Sequence, residues 1–284
     1  MKTAPFIYHR PTSIAEAIEL LSKWGPQEGR VLAGGQSLVP SMAYRMARPV
    51  HLIDINGIAE LGTLFSSQGV LKIGACVRHA ALETNDLPGP LGRLLRNVAA
   101  NIAHYPIRTR GTFCGSVANA DPASEWCCTI AALDGTVVLL STRGERRVAA
   151  GEFIQGVMTT AIEEDELVVA VELLTLLEGT RTGFQEFSRR KGDFAIAMAL
   201  ASYRLEGETI VEPRITVGGA EPQARRLPEV EEQLAGQPPS REVFERAADK
   251  AAALLDPMED LNNTASYRRH LARTLVYRAL AEAE

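Results

Sequence analysis

The chain has 284 residues, a length that suits one large domain or two to three smaller ones. Hydrophobic residues make up 46% of it and charged residues 23%, a balance typical of globular proteins that excludes a disordered or low-complexity chain. The formal net charge of -5 argues against a general nucleic-acid-binding protein, because such proteins present a basic surface.

The N-terminal residues predict a small α/β unit over residues 1–57. Ser13 and Glu16 have the spacing of a capping box, and the apolar residues after Ser13 repeat at helical intervals until Gly25-Pro26 ends the helix. Short strands are predicted at residues 30–33 and 51–55, and the first of them ends at the glycine pair Gly34-Gly35.

A second α/β unit is predicted over residues 58–175. Its strands are expected at 70–74, 136–140 and 165–173. Apolar residues at helical spacing predict one helix over 91–102, and a second helix is expected around 126–133.

Residues 178–284 have the pattern of an α+β domain. Residues 194–205 and 209–217 predict two antiparallel strands joined by a turn at 206–208. The Gly- and Pro-rich residues 236–240 are interpreted as a linker, after which two helices are expected, over about 244–254 and from Ser266 onward. The predicted fold class is α+β: two α/β subdomains followed by a C-terminal domain of antiparallel sheet and helices.

The four cysteines do not have the spacing of a metal centre. They stand at Cys76, Cys114, Cys127 and Cys128, and no two of them form a C-x-x-C pair. Iron–sulfur and structural zinc sites use thiolates at short loop spacings, which two adjacent cysteines do not readily supply. We therefore expect no metal ligands on this chain, and free thiols in a reducing compartment.

The sequence predicts neither a secretion signal nor a membrane-spanning helix. The first residues alternate between polar and apolar types and contain no apolar signal-peptide core. The longest apolar run, residues 194–201, is much shorter than the roughly 20 residues that a spanning helix needs. We expect a soluble, cytoplasmic protein.

The first motif of chemical interest is Val31-Leu32-Ala33-Gly34-Gly35-Gln36-Ser37-Leu38, with Pro40 two residues later. Glycines after a strand allow backbone N–H groups to approach phosphate oxygens without a Cβ in the way. The hydroxyl of Ser37 adds a donor, and Pro40 favours a helix start. A plain tight turn is the alternative interpretation. Neither the G-x-G-x-x-G dinucleotide fingerprint nor a triphosphate-binding Gly-Lys-Ser/Thr is present.

The second motif covers residues 107–125 and contains a further glycine loop. Gly111 and Gly115 offer another backbone cradle, to which Thr112 and Ser116 add hydroxyl donors. Glu125 has the chemistry to accept hydrogen bonds from ribose or ribityl hydroxyls. Arg108 and Arg110 are candidates to balance phosphate charge; in the alternative interpretation they form surface ion pairs with Asp121 and Glu125.

These segments together resemble the FAD-binding medium subunit of the molybdenum hydroxylases, a family that includes carbon monoxide dehydrogenase, xanthine dehydrogenase and bacterial dehydrogenases of aldehydes and N-heterocycles. The resemblance rests on Ala33 to Pro40, on residues 107–116 and on Asp121-Pro122-Ala123-Ser124-Glu125. Phe184 to Ala197, with Arg189-Arg190-Lys191-Gly192-Asp193, is similar to the start of the family's C-terminal domain. The resemblance therefore covers the whole chain.

The resemblance implies an FAD-binding fold of the vanillyl-alcohol-oxidase (PCMH) type, in which the two glycine loops enclose the pyrophosphate. Ile102 would pack on the flavin ring system with His104 beside it, and Leu167 would lie near the cofactor. Glu125 takes the place of the family's acidic residue after Asp-Pro. The implied cofactor-binding residues are Val31, Leu32, Ala33, Gly34, Gly35, Gln36, Ser37, Leu38, Ile102, His104, Thr112, Cys114, Gly115, Ser116, Glu125, Leu167 and Lys191.

Two positions depart from the family pattern. Cys114 replaces the first glycine of the family's Thr-x-Gly-Gly, which raises the question of whether this backbone still needs a positive φ. A thiol near a flavin is a candidate redox group, but a small space-filling role is favoured for Cys114. The family's lysine before the arginine pair falls on Gln185 or Glu186, and Lys191 is the expected substitute.

The implied function is that of one electron-transfer subunit in a heterotrimeric oxidoreductase. Substrate would be hydroxylated at a molybdenum cofactor on a large partner subunit. Electrons would then pass through two 2Fe-2S clusters on a small partner subunit to the FAD of this chain and on to an external acceptor. The complex is expected to be a dimer of heterotrimers, and no catalytic residue for the organic substrate is expected here.

The sequence leaves several alternatives open. A stand-alone FAD-dependent oxidase of the same fold would need a larger substrate-covering domain than the last hundred or so residues supply, and a non-redox nucleotide-binding module is a third hypothesis. The remaining histidines are expected to be structural or surface residues: His9, His51, His79 and His270. The substrate of the complex (carbon monoxide, a purine, an N-heterocycle or an aldehyde) and the electron acceptor are not specified by this chain.

Overall fold

The structure, a computed structural model, describes residues 2–283. Its N-terminal part is a small parallel sheet with strand order β1-β3-β2, in which β3 pairs with both neighbours. Because β2 and β3 are parallel, the residues that follow them meet at the same sheet edge. The elements are β1 (Ile7–His9), α1 (Ile14–Trp24), β2 (Gly29–Leu32), α2 (Leu38–Ala43) and β3 (His51–Asp54).

The predicted cap of α1 is present, but its second hydrogen bond differs from that of a capping box. The Ser13 hydroxyl accepts from the backbone N–H of Glu16 at 3.2 Å. The Glu16 carboxylate accepts from the N–H of Thr12 at 2.7 Å rather than from that of Ser13. Both bonds satisfy N–H groups at the start of the helix that have no partner within it.

The middle part of the chain forms an antiparallel sheet with strand order β4-β5-β10-β6-β7, so β10 lies at its centre. Helices α4, α6 and α7 of this part bury one face each in the same core. The elements are β4 (Leu64–Ser67), β5 (Val70–Gly74), α3 (His79–Glu83), α4 (Gly89–Asn101), α5 (Tyr105–Arg108), α6 (Phe113–Asn119), α7 (Glu125–Ala132), β6 (Thr136–Ser141), β7 (Gly144–Ala149), α8 (Ala150–Phe153), β8 (Ile154–Gly156), β9 (Thr159–Thr160) and β10 (Leu167–Leu174).

The C-terminal part is an antiparallel sheet of order β11-β12-β13-β14, covered by helices. The predicted pairing of two long strands and the two helices at the end of the chain are both present. The elements are β11 (Arg181–Phe187), β12 (Ala197–Glu206), β13 (Thr209–Gly218), β14 (Arg225–Arg226), α9 (Pro228–Leu234), α10 (Arg241–Leu254) and α11 (Ala265–Glu282). The α+β class predicted from the sequence is confirmed.

One local prediction in this part was wrong, the start of the strand at residue 194. Residues 194–196 precede β12, and Phe194 is an exposed residue of the β11–β12 hairpin loop, which the bond from Ile196 N–H to Phe187 O closes at 2.8 Å. The residues interpreted as a linker do connect two elements, α9 and α10, and they are held in place because Gly236 N–H donates to Ile210 O and Ile210 N–H to Gln237 O, each at 2.8 Å. Composition alone does not reveal such pairing.

The buried apolar residues form two cores. The first contains residues of both N-terminal sheets, from Ala17 and Ile53 to Ile73 and Val137. The second lies between the C-terminal sheet and helices α10 and α11. Met198 of β12 belongs to the first core, which shows that the C-terminal sheet packs directly on the N-terminal parts of the chain. The division at residues 1–57, 58–175 and 178–284 stays a prediction.

Among residues 2–283, no helix is both long and apolar enough to cross a membrane.

Candidate functional site

The two glycine loops of the sequence lie against each other in the structure. A Cβ added to Gly34 would lie 2.5 Å from the carbonyl oxygen of Arg110 and 2.7 Å from Cα of Gly111. Only a residue without a side chain permits backbones to approach this closely. The loop after β2 and the loop before α6 thus form one continuous backbone surface.

Gly35 is needed for a different reason, its backbone conformation. Its φ is +72°, in the left-handed region that glycine adopts without steric cost. A Cβ at this position would also lie 3.0 Å from Cδ1 of Leu32 and 3.1 Å from Cγ2 of Val39. The turn brings Ser37, an exposed residue, to the start of α2, where its hydroxyl makes no capping bond within the described chain.

Asn56 and Arg78, which sequence reasoning did not select, tie the two loops together. The Asn56 side-chain amide donates to the carbonyl of Ala33 at 2.8 Å, and its oxygen accepts from the guanidinium of Arg78. The same guanidinium donates to the carbonyl of Arg110. In the sequence, the pair Asn56-Gly57 directly after the strand predicted at 51–55 indicates only a turn. Its position beside β2 follows from the parallel pairing of β2 with β3.

Thr112 and Gly115 shape the start of α6. The Thr112 hydroxyl accepts from the N–H of Gly115 at 3.0 Å, so it caps this helix, and Thr112 itself is buried. Gly115 and Ser116 in the first turns of the helix are partly exposed. A Cβ on Gly115 would lie 2.6 Å from the Thr112 hydroxyl oxygen, which explains the glycine.

Cys114 is a helical residue whose thiol faces the core. Its φ is not positive, so the departure from the family's glycine causes no backbone strain. The thiol donates to the carbonyl of Ile73 at 3.3 Å, and burial raises the pKa of the thiol far above its ordinary value. A protonated thiol of this kind is a poor nucleophile, which fits the space-filling role.

His79 contacts the second loop at Gly111 and is itself buried. Its backbone N–H donates to the carbonyl of Gly111 at 3.1 Å, and its ring Nδ1 accepts from Nε1 of Trp126 at 2.9 Å. A Cβ on Gly111 would lie 2.5 Å from Nε2 of His79, so the ring and the loop are in direct contact. Burial, with Arg78 and then Arg108 nearby, lowers the pKa of His79 to about 4.

Ile102 and His104 follow α4, at the place where the β11–β12 hairpin loop contacts the middle part of the chain. Ile102 is buried, and His104 is exposed. A Cβ on Gly192 would lie 2.6 Å from Cε1 of His104, which places the loop carrying Lys191 against this segment. The structure therefore brings His104 and the Lys191 loop together. Their contact with a flavin stays a prediction.

Arg108 does not form the ion pairs with Asp121 or Glu125 that the alternative interpretation supposed. It forms a bidentate salt bridge with Glu83, in which Nε donates to Oε2 at 2.7 Å and Nη2 to Oε1 at 3.0 Å. It also donates to the carbonyls of Ile102 and Ala103, at 2.9 and 3.0 Å. Arg108 thus fixes the segment leading to His104, in which Ala103 has a left-handed φ of +42°.

Replacing Arg108 by methionine is expected to lower the free energy of unfolding by about 2 kcal/mol. The change leaves the Glu83 carboxylate unpaired and two backbone carbonyls without donors; the partial exposure of Glu83 keeps the cost below that of a fully buried pair. Chemical denaturation measures the effect, and a double-mutant cycle with Glu83→Gln isolates the pair. Independent, additive effects of the two changes would contradict the coupling.

Two further predicted site residues, Leu167 and Glu125, lie at the starts of β10 and α7. Leu167 begins β10 and is buried in the first core, opposite Leu140. Glu125 begins α7, and its carboxyl group is hydrogen-bonded to that of Glu186. Burial raises the pKa of Glu125. Glu186 was not selected from the sequence as a site residue, although it stood at one of the two positions considered for the family's lysine.

Within residues 2–283, no group of three or more His, Cys, Asp or Glu side chains has an arrangement that could hold a metal ion. What the site does offer suits an anionic, phosphate-bearing cofactor. The close backbone contact at Gly34, the left-handed turn at Gly35 and the exposed Ser37 make a cradle that any Cβ at Gly34 would fill.

Two family models together match almost all of the chain. Residues 3–173 match the FAD binding domain in molybdopterin dehydrogenase, and residues 182–283 match the CO dehydrogenase flavoprotein C-terminal domain. These matches agree with the resemblance inferred from the two glycine loops.

Curated relatives and solved structures give the same result. The alpha subunit of the 6-hydroxypseudooxynicotine dehydrogenase complex of Paenarthrobacter nicotinovorans is 38% identical, over 100% of this chain and 96% of its own. The carbon monoxide dehydrogenase medium chain of Hydrogenophaga pseudoflava is 34% identical, over 97% and 96%. In the solved carbon monoxide dehydrogenase of Hydrogenophaga pseudoflava, one chain at 34% identity superposes with a TM-score of 0.93, covering 100% of this chain and 98% of that one. The chain therefore belongs to the family of FAD-binding medium subunits of molybdenum hydroxylases of the carbon monoxide dehydrogenase and xanthine dehydrogenase type.

Proposed function

We propose that this chain holds FAD with its pyrophosphate between residues 33–38 and 111–116 and relays electrons within a molybdenum hydroxylase complex. The observation that carries the proposal is the contact of Gly34 with Arg110 and Gly111, which joins two phosphate-compatible loops into one cradle. A pyrophosphate has two phosphoryl groups to bind, and two adjoining loops supply backbone N–H groups for both.

Each part of the site has a role in binding. Backbone N–H groups of the first loop and the Ser37 hydroxyl would bind phosphate oxygens, while Gly115 and Ser116 complete the cradle from the second loop. Glu125 would accept a hydrogen bond from a sugar-chain hydroxyl. Ile102, His104, Leu167 and Lys191 are the proposed neighbours of the flavin ring. The bound FAD supplies the one- and two-electron chemistry, and the chain supplies orientation and the surrounding electrostatics.

The partners follow from the family. We propose a small subunit that carries two 2Fe-2S clusters and delivers electrons, and a large subunit whose molybdenum cofactor oxidises the organic substrate. The complex would be a dimer of such heterotrimers, with an external electron acceptor. Since the relatives are named for substrates as different as carbon monoxide and a nicotine derivative, no particular substrate is assigned to this chain.

Two measurements test the proposal. The full chain, purified alone and titrated with FAD, is expected to quench FAD fluorescence with a stoichiometry of about one and to show flavin absorbance bands. Purified from its native source together with its partner subunits, it is expected to contain iron, sulfide and molybdenum. A chain that takes up no FAD would refute the binding assignment. An FAD-loaded chain that oxidises an alcohol without partners would instead support a stand-alone oxidase.

A further inference from the structure

Glu125 and Glu186 form an unusual carboxyl pair. Glu125 is the first residue of α7, and Glu186 is the second-last residue of β11. Their side chains are hydrogen-bonded to each other. Two ionised carboxylates have only acceptor atoms, so a hydrogen bond between them requires that one carries a proton.

The surroundings of the pair favour retention of that proton. Oε2 of Glu186 is buried and has no N–H or O–H donor from the rest of the described chain. The other ionisable groups that act on the pair are Asp121, whose charge is negative, and the thiols of Cys127 and Cys128. No cation is among them. Burial is the largest cause of the raised pKa of both carboxyl groups.

The pair lies at the junction of the two cores. Helix α7 packs against β12 and β13, and Glu186 lies opposite Met198 in the β11–β12 pairing. The hairpin loop that follows Glu186 carries Gly192 to the ring of His104. Glu125 itself is only partly buried, whereas the next residues of α7 face the core. The pair therefore joins the start of α7 to the C-terminal sheet, with one carboxyl group contributed by each.

We propose that Glu186 is a positioning residue for cofactor binding: it donates a hydrogen bond to Glu125 and so fixes the free acceptor oxygen of Glu125 toward a hydroxyl of the cofactor. The proposal rests on the proposed FAD-binding function. Without the donated bond, Glu125 would be a partly buried carboxylate beside Asp121 that is held only by its own backbone N–H. With it, the pair carries one negative charge and one defined geometry.

The shared proton makes binding depend on pH in a defined direction. Both carboxyl pKa values lie above the ordinary 4.5, so the pair keeps a proton at neutral pH that free carboxyl groups would have lost. As the pH rises through these raised values, the last proton leaves and two adjacent negative charges repel each other. The affinity for FAD is therefore expected to fall on the alkaline side of these raised pKa values.

Fluorescence titration of the full chain with FAD at about pH 7.5 and about pH 9 tests this. We expect the wild-type dissociation constant to increase roughly tenfold between the two, which corresponds to about 1.4 kcal/mol. Glu186→Gln keeps a donor for Glu125 but has no proton to lose, so it should bind FAD like wild type at about pH 7.5 and show little change at about pH 9. Glu186→Leu removes the donor and should bind more weakly already at about pH 7.5.

The matched control is Glu60→Gln, at an exposed glutamate of the same part of the chain, which should keep the wild-type pH dependence. Infrared spectroscopy of the chain without FAD provides a second readout: wild type should show the band of a protonated carboxyl group at neutral pH, and Glu186→Gln should lack it. A Glu186→Gln variant that retained both the band and the wild-type pH dependence would overturn the proposal. A wild-type chain that binds no FAD at either pH would refute the proposed function, and this inference with it.

Discussion

Replacing Gly34 by alanine should weaken FAD binding by at least about tenfold while leaving the two hydrophobic cores folded. The added methyl would lie 2.5 Å from the carbonyl oxygen of Arg110 and 2.7 Å from Cα of Gly111, and backbone atoms cannot rotate away as a flexible side chain can. The two loops would separate, and each would keep only its own phosphate contacts. A tenfold loss corresponds to about 1.4 kcal/mol, a modest fraction of what a pyrophosphate gains from a closed cradle.

Gly35→Val tests the same loop through its conformation. Valine is β-branched and strongly disfavours a φ of +72°, and its side chain would also press on Leu32 and Val39. Flavin content after purification and the dissociation constant for added FAD measure both variants. Gly62→Ala is the matched control, because that glycine has no atom within 4 Å of an added Cβ and no left-handed φ. Unchanged flavin content in both loop variants would contradict the placement of the pyrophosphate.

Local patterns predicted those parts of the fold that depend on local chemistry. The Ser13 cap, the glycine turn after β2 and the pairing of β12 with β13 all follow from residues close together in the chain. The start of β12 was mispredicted, because the apolar run from Phe194 continues the strand pattern through a loop that the bond from Ile196 N–H to Phe187 O closes. The α+β class was recoverable, since it requires only the order of the elements.

For the site, sequence reasoning found the loops but not their supports. Gly34, Gly35 and Gly115 were selectable because glycine after a strand or at a helix start has a stated physical use. Asn56 and Arg78 were not, because an Asn-Gly turn and a lone arginine carry no signal until β2 and β3 are known to be parallel neighbours. Glu186 required knowledge that β11 passes the start of α7. Interactions between distant segments are what the structure adds.

His79 leads to the prediction with the widest consequence, an acid-dependent loss of stability centred on the second loop. In the folded chain the pKa of His79 is lowered to about 4, first by burial and then by the charges of Arg78 and Arg108. In the unfolded chain it returns to the ordinary 6.5. As the pH falls below 6.5, the unfolded state therefore binds a proton that the folded state does not bind. The stabilising contribution of the neutral imidazole is fully present above pH 6.5 and is lost as the pH falls through about 4.

The size of this contribution is about 3 kcal/mol, at 1.36 kcal/mol per unit of pKa difference. Protonation of Nδ1 would also remove the acceptor for Trp126 and place a third positive charge beside Arg78 and Arg108, directly under Gly111. Loosening of this loop should release FAD over the same pH range in which stability falls. The Glu125–Glu186 pair has the opposite sign, because its raised pKa values favour the folded state as the pH falls, so the comparison must be made between variants.

Urea denaturation of wild type and His79→Asn at about pH 7 and about pH 4 isolates the histidine. Asparagine places its side-chain oxygen near the position of Nδ1 and keeps an acceptor for Trp126, but it does not titrate. The variant should be less stable than wild type at pH 7, where the packing of the ring is lost, and the difference should shrink by about 3 kcal/mol at pH 4. An equal difference at the two pH values would show that His79 is not held neutral, and that acid acts on the cofactor loops through another group.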